Sequence, residues 1–463
     1  MNAPFVVGNR CLGPGVAELL ASETVAVPPG IAADSWRDLG TTAIAADRYT
    51  SPAFFAAEKA HMWPKVWQMA ARDDEMPEAG DLVVYDNVGR SYVLVRQVDG
   101  SVRAFHNVCL HRGRKLRDQS GVATSLQCAF HGFTWGLDGA LKHVPCAWDF
   151  GHLADRDMRL PELRVEHFAG FIFVTENSDA PPLADYLAPL PDIFARWRLE
   201  ECYTGVWVAK VINANWKVCA EAFMEAWHSV TTHPQILPFT GDANTRYSLW
   251  GDHANLALTP FGVLSPHLAD AGLGEDAILG AIGMGSGRYA AVGDSAGGTG
   301  LAEGQTARSL LAAANRQKHL VDLGYPADDA TDSELLDAYT YNVFPNLSPW
   351  GGFAPNIVYR WRPWPDENHT LMEVRLLARA PAGQTRPHAC DMLMLGADEP
   401  WSSFTGWGAL GAIFDQDMGN LPQVQEGLHA SPNNRVELGN YQESRIRQFH
   451  QTLDKYLSGE LGA

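Results

Sequence analysis

Four residues with metal-binding side chains lie in two short pairs in the first third of the chain. Cys109-x-His111 is followed, after sixteen residues, by Cys128-x-x-His131. Each pair offers one thiolate and one imidazole from a tight loop, so that the two cysteines can hold one iron of a cluster and the two histidines the other. Structural zinc sites more often use C-x₂₋₄-C or H-x₃₋₅-H pairs, so the mixed pairs disfavour zinc.

The residues around these pairs extend the pattern, because they read CLHRGRKL and CAFHGFTWGLDG. These stretches resemble the Rieske [2Fe–2S] motif. The resemblance implies that the cluster ligands are Cys109, His111, Cys128 and His131. Gly113 and Gly132 allow tight loops whose backbone N–H groups can point at the sulfurs. Cys146 follows in HVPCAW and is expected to be an ordinary buried thiol rather than a further ligand.

A second group of candidate ligands lies in residues 213–234, NANWKVCAEAFMEAWHSVTTHP, whose pattern is helical. Glu225 and His228 are three residues apart and would share a helix face. His228 and His233 are five apart, which turns them about 140° from each other on a continuous helix. Both can bind one metal only if the helix ends or distorts between them, and Pro234 favours an ending. Two histidines with a distant carboxylate would form a facial triad for Fe(II), although the spacing alone more often marks structural histidines.

This stretch resembles the iron-binding helix of the α (catalytic) subunits of Rieske non-haem iron oxygenases, the aromatic-ring-hydroxylating dioxygenase family. In that family NWK precedes an acidic residue and two histidine ligands, and residues 215–217, Glu225, His228 and His233 occupy these places. Many members have Asn where Ala222 lies and Asp where Glu225 lies. The glutamate is similar to the variant in members that act on quaternary amines and related small substrates.

The resemblance also implies a third iron ligand, an aspartate near the start of the C-terminal helix. The stretch FDQDMGNLPQVQEGL contains two candidates. Asp417 matches best, because it lies eight residues before Gln425 of the VQEGL element, and Asp415 is the alternative. Capping of a helix N-terminus is the competing role for this pair.

The predicted fold class is α+β, with a β-rich Rieske [2Fe–2S] domain and, by resemblance, a helix-grip (START-like) catalytic domain with an antiparallel sheet. Residues 80–105, 354–363 and 368–380 alternate as strands do, and the pattern is helical from about residue 420 to the end. The expected units are an N-terminal arm (1–45), a Rieske domain (46–168, of which 46–64 could pack on the catalytic domain) and a catalytic domain (169–463). A long Gly-rich insertion at about 240–335 is expected to form a lid or a mobile loop.

The family resemblance implies the terminal oxygenase component of a multicomponent Rieske oxygenase. It would use O₂ and electrons from NAD(P)H to hydroxylate a small organic, aromatic or cyclic substrate by cis-dihydroxylation or monooxygenation. Electrons would come from a separate flavin reductase, with or without a ferredoxin, and pass through the [2Fe–2S] cluster to a mononuclear Fe(II). The implied assembly is a homotrimer, with or without a β subunit, in which Glu225 would bridge His131 of one chain and His228 of the next.

Three other functions compete with this one. An O- or N-demethylating Rieske monooxygenase would use the same centres. A Rieske electron-transfer protein without oxygenase chemistry would not need His228, His233 and Asp417, and a zinc-stabilised binding protein would not need the C-x-H spacing.

Charge and composition limit the binding partners and the cellular compartment that we expect for this chain. The formal net charge of −19 disfavours nucleic acids and anionic membrane surfaces. Seven scattered cysteines and the lack of a recognisable leader or long apolar run favour a cytoplasmic protein. Residues 101–120 carry five basic residues and one acidic residue, which could steer an acidic electron donor or form a solvated or interface surface. Phe223, Leu237, Phe239 and residues of the insertion at about 240–335 are candidate walls of a substrate pocket.

Overall fold

The computed structural model describes residues 13–285, 301–353 and 356–462. The strands are β1 (Gln68–Arg72), β2 (Asp81–Asn87), β3 (Arg90–Arg96), β4 (Val102–His106), β5 (Gly121–Val122), β6 (Leu126–Gln127), β7 (Thr134–Trp135), β8 (Leu141–His143), β9 (Glu162–Phe168), β10 (Phe171–Thr175), β11 (Cys202–Ile212), β12 (Arg246–Trp250), β13 (Ala254–Thr259), β14 (Ala338–Val343), β15 (Leu347–Pro349), β16 (Asn356–Pro363), β17 (Thr370–Arg379) and β18 (Leu393–Met394). The α-helices are α1 (Val16–Ala21), α2 (Pro29–Ala32), α3 (Asp47–Thr50), α4 (Pro52–Ala57), α5 (Leu183–Leu187), α6 (Leu190–Phe194), α7 (Trp216–Glu221), α8 (Ser229–Thr232), α9 (Glu275–Gly285), α10 (Ala307–Val321), α11 (Asp332–Leu336), α12 (Leu410–His429) and α13 (Ser444–Ser458). Within the described ranges we find no helix with the length and apolar character needed to span a bilayer.

The first part of the chain forms a seven-stranded sheet with the strand order β1-β10-β9-β4-β3-β2-β5. Strands β2, β3 and β4 pair as an antiparallel meander over the stretch where alternation predicted strands. Strand β10 pairs with both β9 and β1, so the expected domain boundary at residue 168 falls inside a hairpin. We therefore propose that the first domain extends through Thr175.

A separate three-stranded sheet, β6-β7-β8, lies beside this sheet. The two cysteines of the motif are buried in the core that it forms with the first sheet, together with Leu126, Phe133 and Trp135. Burial in an apolar core keeps water away from the sulfur atoms and fixes the two loops that carry them.

The second part of the chain is built on an eight-stranded sheet in the order β12-β13-β14-β15-β16-β17-β11-β18, antiparallel except for the pairing of β11 with β18. Side chains alternate between two cores, because Ile357, Tyr359 and Trp361 face one core and Val358 faces the other. Helix α13 packs Phe449 and Leu453 into the first of these cores. The chain between α12 and α13 is not helical, although the sequence predicted helix to the end.

Two expectations about the periphery need correction. Strands β12 and β13 lie within the predicted insertion but belong to the main sheet. Almost all of their residues are buried, so polar and apolar residues do not alternate and the sequence pattern does not predict strands. Residues 286–300 of that insertion lie outside the described residues.

The described part of the N-terminal arm is packed: Val16, Leu20 and Ile31 are buried in the second core. Residues 46–64 do pack on the catalytic domain, where the rings of Trp63 and Trp216 lie 5.1 Å apart.

A buried carboxylate joins the two parts of the chain. Glu373 on β17 accepts hydrogen bonds from Arg360 (2.7 Å) and Arg362 (2.7 Å). The same guanidinium groups donate to backbone carbonyls of the first sheet, at Ala70 and Asp86. Burial raises the pKa of Glu373, but the charges of Arg360, Arg362 and Arg375 outweigh it and hold that pKa well below its usual range. The charged form of Glu373 therefore organises the contact between the sheets.

Glu373→Gln is expected to lower the free energy of unfolding by about 3–5 kcal/mol, because it leaves buried arginine charges without their counter-ion. Urea unfolding followed by tryptophan fluorescence measures this loss. Glu437→Gln is the matched control, since the Glu437–Arg435 pair is exposed and its loss should cost about 0.5 kcal/mol or less. Equal losses in the two variants would contradict a structural role for the buried network.

Candidate metal centres and active site

The loops that carry the two Cys/His pairs have the same backbone geometry. In the first, the N–H of Gly113 donates to the carbonyl of Cys109 at 2.9 Å, and in the second, Gly132 donates to Cys128 at 2.9 Å. Both glycines have positive φ, +79° and +75°, which side-chain-bearing residues rarely adopt. The predicted requirement for glycine in these tight loops is thus confirmed.

Side chains of the motif meet across the two loops, where the thiol groups of Cys109 and Cys128 are hydrogen-bonded to each other. The rings of His111 and His131 lie 4.7 Å apart, and His111 stacks on Phe133 at 4.7 Å. Backbone amides point at the sulfurs: those of His111 and Arg112 at Cys109, and those of Phe130 and His131 at Cys128. Burial raises the pKa of Cys109, whereas at Cys128 the amide donors outweigh burial and lower the pKa.

These residues fit an iron–sulfur cluster. Nδ1 of His111 is buried and has no hydrogen-bond partner among the described residues. Because buried polar atoms normally have a partner, this nitrogen is available to bind a group such as a metal ion. Amide donors aimed at both sulfurs stabilise thiolates that bind metal. Cys146 is exposed rather than buried as expected, with a φ of +55° in a surface turn.

Most of the basic residues in 101–120 are neutralised locally. Arg103 pairs with Glu162, Arg114 with Asp118 and Lys115 with Asp86. Arg112 instead lies over the exposed ring of Phe130 at 5.2 Å. The positive charge available to steer a partner is therefore smaller than the sequence suggested.

The second set of candidate ligands also converges. Nε2 of His233 lies 2.8 Å from Oδ1 of Asp417, and Nε2 of His228 lies 3.6 Å from the same oxygen. One ligand atom from each of the three side chains lies within 4.8 Å of the others, which is the spacing of a metal site. His233 and Asp417 are almost fully buried, and His228 is partly exposed. Two imidazoles and one carboxylate on one side of a cavity match a facial triad.

The helix predicted over residues 213–234 is broken between α7 and α8, and both histidines reach one point from the two ends of α8. Helix α7 ends at Glu221, seven residues before His228, and α8 is a single turn. Glu225 therefore does not share a helix face with His228, contrary to the sequence-based expectation. It reaches His228 instead by a local turn, in which its carboxylate accepts from the backbone N–H of His228 at 3.1 Å.

Each histidine is held on the side away from Asp417. Nδ1 of His228 lies 2.5 Å from Oε1 of Glu225, and Nδ1 of His233 lies 2.8 Å from Oε1 of Gln416. Because both partners are acceptors, each ring donates its Nδ1–H to its partner and turns Nε2 towards Asp417. A positive charge is needed between each Nε2 and the Asp417 carboxylate, and either a proton or a metal ion can supply it. Two imidazoles with one carboxylate are a donor set that fits a metal ion.

The ionisation of His228 reflects the same contact. Burial lowers the pKa of His228, but the hydrogen bond and charge of Glu225 and the charge of Asp417 outweigh it and raise the pKa to about 9. The two carboxylates thus create a strong preference for positive charge at this point.

Helix α12 separates the roles of the two candidate aspartates. Leu410, Ile413, Phe414 and Asp417 lie on one face of α12, three and four residues apart, and line one cavity. Asp415 points elsewhere and accepts from the backbone N–H groups of Trp401 (2.6 Å) and Ser402 (3.2 Å). Asp415 is therefore a cap for a short helical turn, and Asp417 is the candidate ligand.

The cavity next to the three candidate ligands has a volume of about 150 Å³. Aromatic and aliphatic side chains form most of its wall, and they include Phe223, Ile236, Phe261, Trp350, Ile357 and Tyr359. Ala222 also lines it, so the position where relatives often have Asn is apolar here. Phe223 lines the cavity as predicted, and the predicted insertion contributes Thr240, Ala257, Thr259 and Phe261. Phe239 instead packs into a separate core with Ile278 and Leu311. Leu237 is buried outside the cavity lining.

Sequence reasoning missed a buried cation behind Glu225. Arg445 on α13 donates to the carbonyl of Met224 at 3.1 Å and to Oδ1 of Asn255 at 2.5 Å. It thereby ties the broken segment before Glu225 to the sheet. In the sequence Arg445 is simply a basic residue in a helical stretch. It can be recognised as a buried cation only when the buried face of that helix is known.

Comparison with known proteins decides the family. Residues 193–459 match the family described as ring hydroxylating alpha subunit (catalytic domain), and residues 66–154 match the Rieske [2Fe-2S] domain. The chain belongs to the ring-hydroxylating α-subunit family. Membership confirms the predicted fold class and the two cofactors, a Rieske [2Fe–2S] cluster and a mononuclear iron.

Similar family members act on different kinds of compound. The glycine betaine monooxygenase oxygenase subunit of Chromohalobacter salexigens is 30% identical over 242 residues, covering 51% of this chain and 54% of that protein. The large oxygenase component of the naphthalene 1,2-dioxygenase system of Pseudomonas putida is 36% identical over 196 residues, covering 40% of this chain and 42% of that protein. This chain therefore spans about half the length of the curated relatives it matches.

Solved structures share the fold over almost the whole α subunit. A quaternary ammonium Rieske monooxygenase in complex with L-carnitine has a TM-score of 0.61 at 17% identity, covering 90% of this chain and 96% of that one. Naphthalene 1,2-dioxygenase from Rhodococcus sp. bound to indole has a TM-score of 0.59 at 19% identity, covering 90% and 95%. At such identities these structures establish the fold alone.

Proposed function

We propose that this α subunit is the terminal oxygenase component of a multicomponent Rieske oxygenase. It would use O₂ and electrons from NAD(P)H to hydroxylate a small organic substrate. The observation that carries the proposal is the apolar cavity that opens directly on His228, His233 and Asp417. A metal triad at the wall of an apolar cavity places a bound hydrocarbon beside open coordination positions.

The geometry described above supports the following choice of ligands. Cys109, His111, Cys128 and His131 would hold the [2Fe–2S] cluster, and His228, His233 and Asp417 would hold the mononuclear iron. When bound, the iron supplies O₂ activation and the cluster supplies electrons. Glu225 fixes the ring of His228 and keeps its proton on Nδ1. The apolar wall orients the substrate and excludes water.

The cavity favours an uncharged aromatic or cyclic substrate. Apart from Glu225, the ligand Asp417 and the two histidines, no charged side chain lines it within the described part of the chain. Apart from the proposed iron and the histidines that would hold it, a carboxylate on the substrate would therefore find no cationic partner in the cavity, and burying it there would carry a large desolvation cost. The reaction on a neutral ring would be cis-dihydroxylation or monooxygenation.

A second candidate, oxidative N- or O-demethylation, is supported by the aromatic side chains. The rings of Phe223 and Tyr359 lie 4.5 Å apart in the cavity wall, and Phe414 is next to them. Such faces can hold a quaternary ammonium group by cation–π attraction. Glu225 in place of the commoner aspartate agrees with this candidate. The lack of a counter-charge for a carboxylate argues that carnitine-like or betaine-like acids are poor substrates.

We further propose that the functional assembly is a homotrimer, with or without a β subunit. In it, Glu225 would connect His228 to His131 of the neighbouring chain. A flavin reductase, with or without a ferredoxin, would supply electrons, and a cytoplasmic location would give access to NAD(P)H. The partly exposed His131 and the carboxylate of Glu225 support this arrangement, since each can accept a contact from outside the chain.

Iron analysis with a substrate screen tests the function. Purified protein should be red-brown and contain about three irons per chain, two in the cluster and one in the triad. With a surrogate reductase and NADH, naphthalene, indole and choline should be compared by O₂ uptake and by mass spectrometry of products. Incorporation of ¹⁸O from O₂ into a ring compound supports the first candidate, and release of formaldehyde from choline supports the second. Zinc in place of iron would contradict both.

A further inference from the structure

The two candidate histidine ligands are held by chemically different groups. Nδ1 of His228 contacts the carboxylate of Glu225, whereas Nδ1 of His233 contacts the neutral side-chain amide of Gln416. Gln416 precedes Asp417 on α12, so consecutive residues of one helix contact the two nitrogens of one imidazole. The separation is 2.8 Å at Nδ1 and 2.8 Å at Nε2. The ring of His233 is thus held at both ends by one helical turn.

The side-chain amide of Gln416 also pairs with a second amide, that of Gln235. Nε2 of Gln235 donates to Oε1 of Gln416 at 2.7 Å, and Nε2 of Gln416 donates back to Oε1 of Gln235 at 3.3 Å. In this arrangement the oxygen of Gln416, and not its NH₂ group, lies against Nδ1 of His233. Gln235 lies two residues after His233, so the contact also joins the segment after α8 to α12.

We propose that Gln416, which pairs with Gln235, is a positioning residue that accepts the Nδ1–H of His233, leaves Nε2 free to bind a metal ion and adds no charge to this half of the site. The inference rests on the proposed iron site. Partners of metal-bound imidazoles fix the ring orientation, and their loss typically costs about 10–100-fold in metal affinity. A neutral amide at this place also leaves the charge of Fe(II) balanced by Asp417 and Glu225 alone.

Two substitutions separate the hydrogen bond from the space that the side chain fills. Gln416→Leu keeps a similar volume but removes the acceptor, and we expect Fe(II) to bind about 10–100-fold more weakly. Gln416→Glu restores an acceptor for Nδ1–H, and we expect affinity within a few-fold of wild type together with a lower reduction potential of the iron, because a negative charge is added. Asn420→Ala, one turn further along α12, is the control, since Asn420 makes only long contacts to Thr232 (3.4 Å) and to the Gln416 carbonyl (3.3 Å).

The measurement is Fe(II) binding to protein from which a chelator has removed the mononuclear iron while the cluster remains. The visible absorption of the cluster in the same sample shows that each variant is folded. The EPR spectrum of the Fe(II)–nitric oxide adduct should change in Gln416→Leu and stay the same in Asn420→Ala. These readouts do not depend on turnover or on knowing the substrate.

Each result supports or overturns the inference. Weak binding in Gln416→Leu with recovery in Gln416→Glu supports it. Wild-type affinity in Gln416→Leu overturns it, and so does equal loss in both variants, because an acceptor would then not matter. Wild-type protein that takes up no Fe(II) beyond its cluster would overturn the proposed function itself.

Discussion

Asp417→Ala is expected to abolish substrate oxygenation while the protein stays red-brown. Both histidine Nε2 atoms face the carboxylate of Asp417, at 2.8 Å for His233 and 3.6 Å for His228. Without it the two imidazoles would hold the metal weakly and nothing would balance its charge. Loss of a group that only hydrogen-bonds to a metal ligand typically lowers metal affinity or activity by about 10–100-fold. Loss of the ligand itself should therefore lower turnover by at least about a hundredfold.

The neighbouring aspartate provides a matched control for this prediction. Asp415→Ala removes the same group two residues away, where it accepts from the N–H groups of Trp401 and Ser402. That variant should lose some stability, typically about 1 kcal/mol for a lost cap, but keep its iron. Iron per chain and ¹⁸O incorporation should be measured for both. An Asp417→Ala protein with full iron and full activity would refute the assignment of the ligands.

Glu225→Gln is expected to block electron delivery while leaving both metal centres in place. Glutamine can still accept the Nδ1 proton of His228 through its one oxygen, so Fe(II) should remain bound. Its other terminal atom is a donor, so it cannot also accept a proton from the histidine of a neighbouring chain. Misplacing such a contact by about 1 Å can cost a hundredfold, and we expect at least that loss in rate.

Stopped-flow reoxidation of the reduced cluster in the presence of O₂ and substrate measures this rate directly. Glu225→Asp keeps two acceptor oxygens on a shorter side chain and should fall between wild type and Glu225→Gln. Iron content should be the same in all three proteins. Rapid reoxidation in Glu225→Gln would mean that electrons reach the iron by another route.

The candidate ligands could be found from the sequence because most of them are local. Cys109 and His111, and likewise Cys128 and His131, belong to single tight loops, so spacing alone brings each pair together. Asp417 could also have been separated from Asp415 by periodicity, because it extends the apolar face of α12 that begins at Leu410. Here the family resemblance and the helical repeat lead to the same residue.

Other parts of the site depend on contacts that no local pattern encodes. Gln416 meets Gln235 across 181 residues, and Arg445 meets the carbonyl of Met224 across 221 residues. The helix break at Glu221 was also missed, since the sequence from Trp216 onward has good helical periodicity and the break is stabilised by tertiary contacts. Strands β12 and β13 were hidden because buried strands lack alternation.

The cavity wall is formed by a helix and by strands, and these elements differ in how many substitutions they can accept without moving a candidate metal ligand. Ile413 and Phe414 lie on the helix that carries Asp417, so new side chains there can shift a ligand. Ala257, Thr340 and Ile357 lie on strands of the main sheet that contribute no candidate ligand. Substitutions on the strands can therefore change substrate preference, in evolution or by directed mutagenesis, while the positions of the metal ligands are preserved. Substitutions on the helix would change substrate preference and the position of Asp417 together, and so would also alter the reaction at the metal.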